Sequence, residues 1–187
     1  MSVIATYNFN IADTSPLPSP WVQAGLAPSA ALQVVSNECR STGGDGDMYY
    51  NTTTPNDSYA QITIPNVDST SYVGPLIRCT AGKAYFAYTN ASANLIRLYR
   101  VTSGPSFTQI GTAAQTLTAG DTIRIEAVGT TIRYKLNGVT KIEVTGDSTF
   151  TSGFGGVLIG VAAATDRVDN FEVGDFSVSA DLAWITA

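Results

Sequence analysis

The sequence predicts an all-β protein built as an antiparallel sandwich or barrel. Period-two alternation of apolar and polar residues recurs from end to end, helical periodicity is scarce, and turn signals rich in Gly, Asn, Asp and Pro punctuate the alternating runs. The composition agrees with this. Of 187 residues, 44% are hydrophobic and only 13% charged, against about 25% charged in an average soluble domain. This length buries a substantial core without metals or disulfides, so one domain over residues 1–187 is expected, with 179–187 as a C-terminal tail.

The strands can be taken in chain order. Val3-Ile4-Ala5-Thr6-Tyr7-Asn8-Phe9 opens the chain. Ala12 to Ser29, with Pro16, Pro18, Pro20 and Pro28, reads as a long surface loop anchored by Trp21. Strand-like runs follow at Ala31 to Val35, Asp47 to Asn51, Tyr59 to Ile64, Val73 to Cys79, Ala84 to Thr89, Asn94 to Val101 and Phe107 to Thr112. Alternation is clearest where Ile123, Ile125 and Ala127 oppose Arg124 and Glu126, and where Ile132, Tyr134 and Leu136 oppose Arg133 and Lys135. The apolar members should face inward. Ile125→Ala should therefore cost about 2–5 kcal/mol, and Arg124→Ala little. The Asn137-Gly138 turn closes a hairpin whose faces agree only if Ile142 opposes Tyr134 and Arg133 faces Glu143, which requires a bulge or one extra loop residue. Val157 to Ala163 and Arg167 to Val173 complete the set.

The sequence contains no His, which removes Ser-His-Asp and Cys-His catalysis and His-ligated zinc. Net charge is -5, and the ten Lys and Arg are scattered singly. No basic stripe exists to neutralise a phosphate backbone, so nucleic acid is not an expected partner. No window has the 18 or more apolar residues of a membrane span. Met1 runs directly into a β-like segment, so no signal peptide is expected, and the protein is expected to be cytoplasmic or exported by a non-Sec route. Cys39 and Cys79 are expected as buried thiols more than as a pair.

Asp166, Asp169 and Glu172 form the nearest carboxylate cluster. In a strand, residues three apart face opposite ways, and Asp166 and Glu172 would lie about 20 Å apart at ~3.3 Å per residue. A glycosidase pair needs roughly 5–9.5 Å. No catalytic residues are assigned on this reading, and the chain is expected not to be an enzyme. Asp45 and Asp47, in Gly43-Gly44-Asp45-Gly46-Asp47, offer oxygens suited to a structural calcium, although no full calcium-loop pattern is present. No other cofactor is implied. Tyr49, Tyr50, Tyr59, Tyr72, Tyr85, Phe86, Tyr88 and Tyr99 supply rings for packing or for stacking on sugars. In Tyr85-Phe86-Ala87-Tyr88, alternation puts Tyr85 and Ala87 on one face and Phe86 and Tyr88 on the other.

The order of several motifs resembles the concanavalin A-like lectin/glucanase jelly roll, in its laminin-G-like branch, which is frequent in bacterial and phage proteins. They are Tyr7-Asn8-Phe9-Asn10, Asn56-Asp57-Ser58-Tyr59-Ala60-Gln61, Val73-Gly74-Pro75-Leu76-Ile77-Arg78, Ala119-Gly120-Asp121-Thr122-Ile123-Arg124-Ile125-Glu126, and Arg167-Val168-Asp169-Asn170-Phe171-Glu172. The resemblance implies two curved antiparallel sheets, neighbouring first and last strands, and a concave face where sugars bind in members that bind them. It also makes Asp169 a third calcium candidate. The Glu-x-Asp-x-x-Glu strand motif of glucanase members is missing.

Three functions are compatible with these features. The first is a non-catalytic structural or attachment module, a phage or virus-like particle component such as a capsid decoration or tail protein at the particle surface. The alternative is a glycan-binding, lectin-like module. A polysaccharide hydrolase or lyase ranks third. The tail residues Leu182, Trp184 and Ile185 carry apolar surface that suits an interface, so protein subunits of an assembly, a homo-oligomer in particular, are expected partners beside surface glycans.

Overall fold

The computed structural model describes residues 1–26, 30–67, 72–160 and 166–176. The interface candidates Leu182, Trp184 and Ile185 lie outside these residues. Fifteen strands follow in chain order: β1 (Ser2–Tyr7), β2 (Trp21–Gln23), β3 (Leu32–Val35), β4 (Glu38–Ser41), β5 (Gly46–Tyr50), β6 (Ser58–Thr63), β7 (Tyr72–Thr80), β8 (Lys83–Asn90), β9 (Leu95–Ser103), β10 (Ser106–Ala114), β11 (Thr122–Val128), β12 (Thr131–Leu136), β13 (Val139–Val144), β14 (Phe154–Gly160) and β15 (Arg167–Asp175). They form two antiparallel sheets, and the described residues include no helix. One sheet runs β13-β12-β11-β6-β15-β4-β3 with β1 added to β15; the other runs β10-β9-β8-β7-β14-β5-β2. The protein is a jelly-roll sandwich.

The core lies between the sheets. Ile62, Ile123, Ile125, Ile132, Tyr134, Phe171 and Val173 from the first sheet meet Val73, Ile77, Tyr85, Ile96, Leu98, Val157 and Ile159 from the second. All six residues expected inward on β11 and β12 are buried. The hairpin after β12 has the expected register, with Tyr134 opposite Ile142 and Arg133 opposite Glu143. Asn137 and Gly138 both take positive φ, 49° and 78°, which the tight two-residue turn demands, and the shift falls on the following strand as a bulge.

The Pro-rich segment expected as loop contains β2, which pairs with β5. Trp21 is its anchor, packed edge-on to Tyr7 at 5.7 Å, to Tyr50 at 5.2 Å and to Phe171 at 5.0 Å. Arg124 departs from expectation. It is half-buried on the outer face of the first sheet, its guanidinium carbon 4.1 Å over the Tyr59 ring and its Nε donating to Gln61 at 2.9 Å. Beside it, Glu126 is buried and meets Lys135 at 3.0 Å. A paired, partly dry charge network replaces the simple wet face that alternation suggests.

Arg78 departs further. Its side chain is 2% exposed, and it donates to three backbone carbonyls: Asn56 from Nε and Nη2 at 3.1 and 2.8 Å, Phe150 at 2.8 Å and Gly129 at 2.9 Å. These carbonyls belong to the turn before β6, the turn after β11 and the segment before β14, so one cation ties three loops. The residue has φ of 50° where the β7–β8 register shifts, a bulge that swings the side chain off the regular alternation.

Candidate functional site

The outer face of the seven-stranded sheet, turned away from the core, is not a simple polar surface. Alternation puts Leu76 of β7, Ala84 and Phe86 of β8, Val101 of β9 and Leu158 of β14 there, and they form a second apolar cluster with Cys79, Ala24 and Leu26. Ala24 and Leu26 come from the segment after β2, which crosses one end of this face. The Ala24 carbonyl accepts from the Gly82 amide at 2.7 Å, and the Leu26 amide donates to Asp47 Oδ1 at 3.2 Å. A Cβ on Gly104 would sit 2.4 Å from the Gly25 carbonyl oxygen, so the close approach of this strap requires glycine there.

Beyond the strap the face opens into a groove of about 320 Å3 lined by Asp45, Tyr72, Phe86, Tyr88, Tyr99, Phe107, Leu158 and Gly160. Cross-strand register builds it. Phe86 opposes Tyr99 and Tyr88 opposes Arg97 between β8 and β9, and Tyr72 opposes Gly160 between β7 and β14. Tyr72 and Tyr88 stack at 5.3 Å with planes 17° apart. Tyr88 meets Phe86 and Tyr99 edge-on at 5.6 and 5.5 Å, and Tyr99 meets Phe107 at 6.2 Å. Such contacts hold rings in fixed orientations, so little conformational freedom is lost when a ligand is bound.

The polar groups of the groove are few. Burial, with Tyr72 and Tyr99 alongside, holds the Tyr88 hydroxyl well above the usual tyrosine range, so it stays protonated at neutral pH. The Arg97 guanidinium carbon lies 5.9 Å from the Tyr88 ring centroid, and its Nη1 donates to the Tyr99 hydroxyl at 3.4 Å. Asp45 approaches the groove from the turn before β5, its Oδ1 3.5 Å from where a Cβ on Gly160 would stand. A concave apolar floor with a few convergent polar groups is the usual form of a small-ligand site.

The calcium candidates do not come together. Asp45 lines the groove, Asp47 is buried and holds the strap, and Asp169 accepts from the Asn170 amide at 2.7 Å. Among the described residues no three His, Cys, Asp or Glu side chains gather as metal ligands. The carboxylate cluster also disperses: Asp166 accepts from the Tyr72 amide at 3.3 Å, whereas Glu172 accepts from the Tyr59 hydroxyl at 2.6 Å on the other sheet. Cys39 and Cys79 are free and buried in different clusters.

Of the rings named from sequence, Tyr72, Phe86, Tyr88 and Tyr99 reach the groove. Tyr85 is core, Tyr50 packs with Trp21, Tyr59 lies under Arg124, and Tyr49 stacks on Phe154. Sequence reasoning missed Phe107 and Arg97. Alternation in Ile96-Arg97-Leu98 already turned Arg97 outward, but its place beside Tyr88 needed the strand order.

No protein-family model matches the chain, and no curated protein matches it. Solved structures do. A carbohydrate-binding module, CBM66, from Bacillus subtilis is 16% identical with a TM-score of 0.60, covering 83% of this chain and 92% of that one. The galectin LEC-6 of Caenorhabditis elegans is 13% identical with a TM-score of 0.51, over 72% of this chain and 92% of its own. An endo-β-1,3-glucanase from Pyrococcus furiosus is 12% identical with a TM-score of 0.58, over 95% of both chains. The glucanase neighbour corrects the expectation that the chain is not an enzyme: this architecture carries glycosidases as well as lectins, so the fold leaves that question open. The three neighbours share one architecture without singling out the laminin-G-like branch, and the fold of this chain is the concanavalin A-like jelly roll.

Proposed function

We propose that the protein binds glycans, and that the ring-lined groove on the outer face of the seven-stranded sheet is the binding site. The observation that carries this reading is the set of four pre-packed aromatic side chains, Tyr72, Tyr88, Tyr99 and Phe107, around one groove with Asp45 and Arg97 beside them. Apolar faces of sugar rings stack on aromatic side chains, and their hydroxyls donate to a carboxylate and accept from a guanidinium or a phenol. Neighbours described as a carbohydrate-binding module and a galectin support this reading over that of a phage or virus-like particle component.

The test is a glycan array followed by calorimetry on the best oligosaccharide. Tyr88→Ala and Tyr99→Ala should each weaken binding about tenfold or more, a loss of ~1.4 kcal/mol or greater. Lys141→Ala, exposed on β13 of the opposite sheet, should leave it unchanged. A protein that binds no glycan, or one whose binding ignores both tyrosines, would overturn the proposal.

A further inference from the structure

Arg97 differs from five of the six other arginines of the molecule, and the sixth, Arg40, lies on β4 in the other sheet, away from the groove. Arg78, Arg100, Arg124, Arg133 and Arg167 each lie within 4.0 Å of a carboxylate. Arg97 makes no ion pair among the described residues. Its contacts there are the Tyr88 ring and the Tyr99 hydroxyl, both part of the groove. It is half-buried, and the chain around it carries a net charge of -5. A cation held against an aromatic face in an acidic protein, with its fork of donors not taken up by an internal carboxylate, is suited to a planar or tetrahedral oxyanion, which guanidinium grips through paired hydrogen bonds.

The groove also has a direction. Asp45 enters from the β5 side and Arg97 stands on β9, with β8, β7 and β14 between them. The Asp45 carboxylate reaches β14, its Oδ1 3.5 Å from a Cβ on Gly160, and the Arg97 guanidinium lies by the Tyr88 ring of β8, so at ~4.8 Å per strand the two charges are roughly 10–14 Å apart, more than one Debye length at physiological salt. Asp45 therefore does little to repel an anion at the β9 end, and the two ends differ in what they prefer: sugar hydroxyls at Asp45, negative charge at Arg97.

Resting on the groove as a glycan site, we infer that its preferred ligands are acidic glycans, with a carboxylate or sulfate substituent seated on Arg97 while the sugar rings lie on Tyr88 and Tyr99. The experiment uses the full chain on an array that pairs acidic oligosaccharides with neutral ones. The acidic set comprises oligogalacturonate and oligoalginate for carboxylate and carrageenan oligosaccharides for sulfate; the neutral set comprises laminari-, manno- and agaro-oligosaccharides. Calorimetry then follows on the best acidic and best neutral binders. The acidic set should bind at least tenfold more tightly, and added NaCl should weaken it while sparing the neutral set. Arg97→Gln should remove the acidic preference by weakening acidic binding far more than neutral binding, and Arg97→Lys should retain part of the preference. Uronate and sulfate arms identify which anion is meant. Equal binding of neutral and acidic sets, or an acidic preference that survives Arg97→Gln in a protein with unchanged melting temperature, overturns this inference and leaves the groove intact as a glycan site. Binding of neither set overturns both.

Discussion

Replacing Arg78 with Met keeps a long, unbranched side chain in place but removes every donor that joins the three loops. Methionine leaves the carbonyls of Asn56, Phe150 and Gly129 facing a buried apolar chain without a partner. An orphaned buried acceptor costs about 1–3 kcal/mol, so three of them bracket the loss between ~3 and ~9 kcal/mol. Asn56 and Gly129 lie in exposed turns where water can enter as the loops relax. Methionine also spares the desolvation of a buried guanidinium, whose burial already lowers the arginine pKa from its usual value. Both effects pull the expected loss to about 3–5 kcal/mol, within the range above. Arg78→Lys keeps the charge, yet one ammonium cannot span three carbonyls in the fixed fork of a guanidinium, so an intermediate loss is expected. Urea unfolding followed by far-ultraviolet circular dichroism gives both values. A loss below about 1 kcal/mol for Arg78→Met, or an Arg78→Lys protein as stable as the parent, would refute the idea that this cation organises the loops.

Two further outcomes are expected. Ile125→Ala should destabilise the fold by about 2–5 kcal/mol, whereas Arg124→Ala should cost about 1–2 kcal/mol through its lost cation–π and Gln61 contacts; paired urea titrations check both, and a neutral Arg124→Ala would show that the network on the outer face contributes nothing. Burial of Asp147 favours its neutral form, but hydrogen bonds from Thr149 and Tyr85 and the charge of Arg100 outweigh burial and hold its pKa below 3.8. A depressed carboxylate stabilises the fold above its unfolded pKa and loses that contribution as pH falls through the folded value. The stability gap between the parent and Asp147→Asn should therefore be full at neutral pH and close below about pH 4; a gap independent of pH would contradict the assignment.

The parts of the fold that could be read in the sequence are those set by alternation and local turn chemistry. Ile123, Ile125, Ile132 and Tyr134 pointed inward because a strand has a period of two, and the Tyr134–Ile142 pairing followed from matching faces across Asn137-Gly138. Short β2 and β4 could not be read, because three and four residues beside prolines or turns carry too little periodicity. Arg78 looked like an ordinary strand residue; its burial is decided by carbonyls 22, 72 and 51 positions away. The groove fell between these cases. Phe86 and Tyr88 were assigned to one face from sequence, but adding Tyr72, Tyr99 and Phe107 required knowing that β7, β8, β9 and β10 are neighbours in one sheet.

The position of the last two strands governs how this chain can be made. β14 lies between β7 and β5, and β15 lies between β6 on one side and β1 and β4 on the other. The seven-stranded sheet cannot be completed until residue 160 has left the ribosome, nor the other sheet until residue 175, and the facing edges of β5, β6 and β7 stand open during synthesis. Contacts this distant in sequence form slowly, and open edges recruit other chains. The yield of soluble protein should therefore depend on translation speed and temperature while β14 and β15 are being made, more than on synonymous codon changes in β1 to β9.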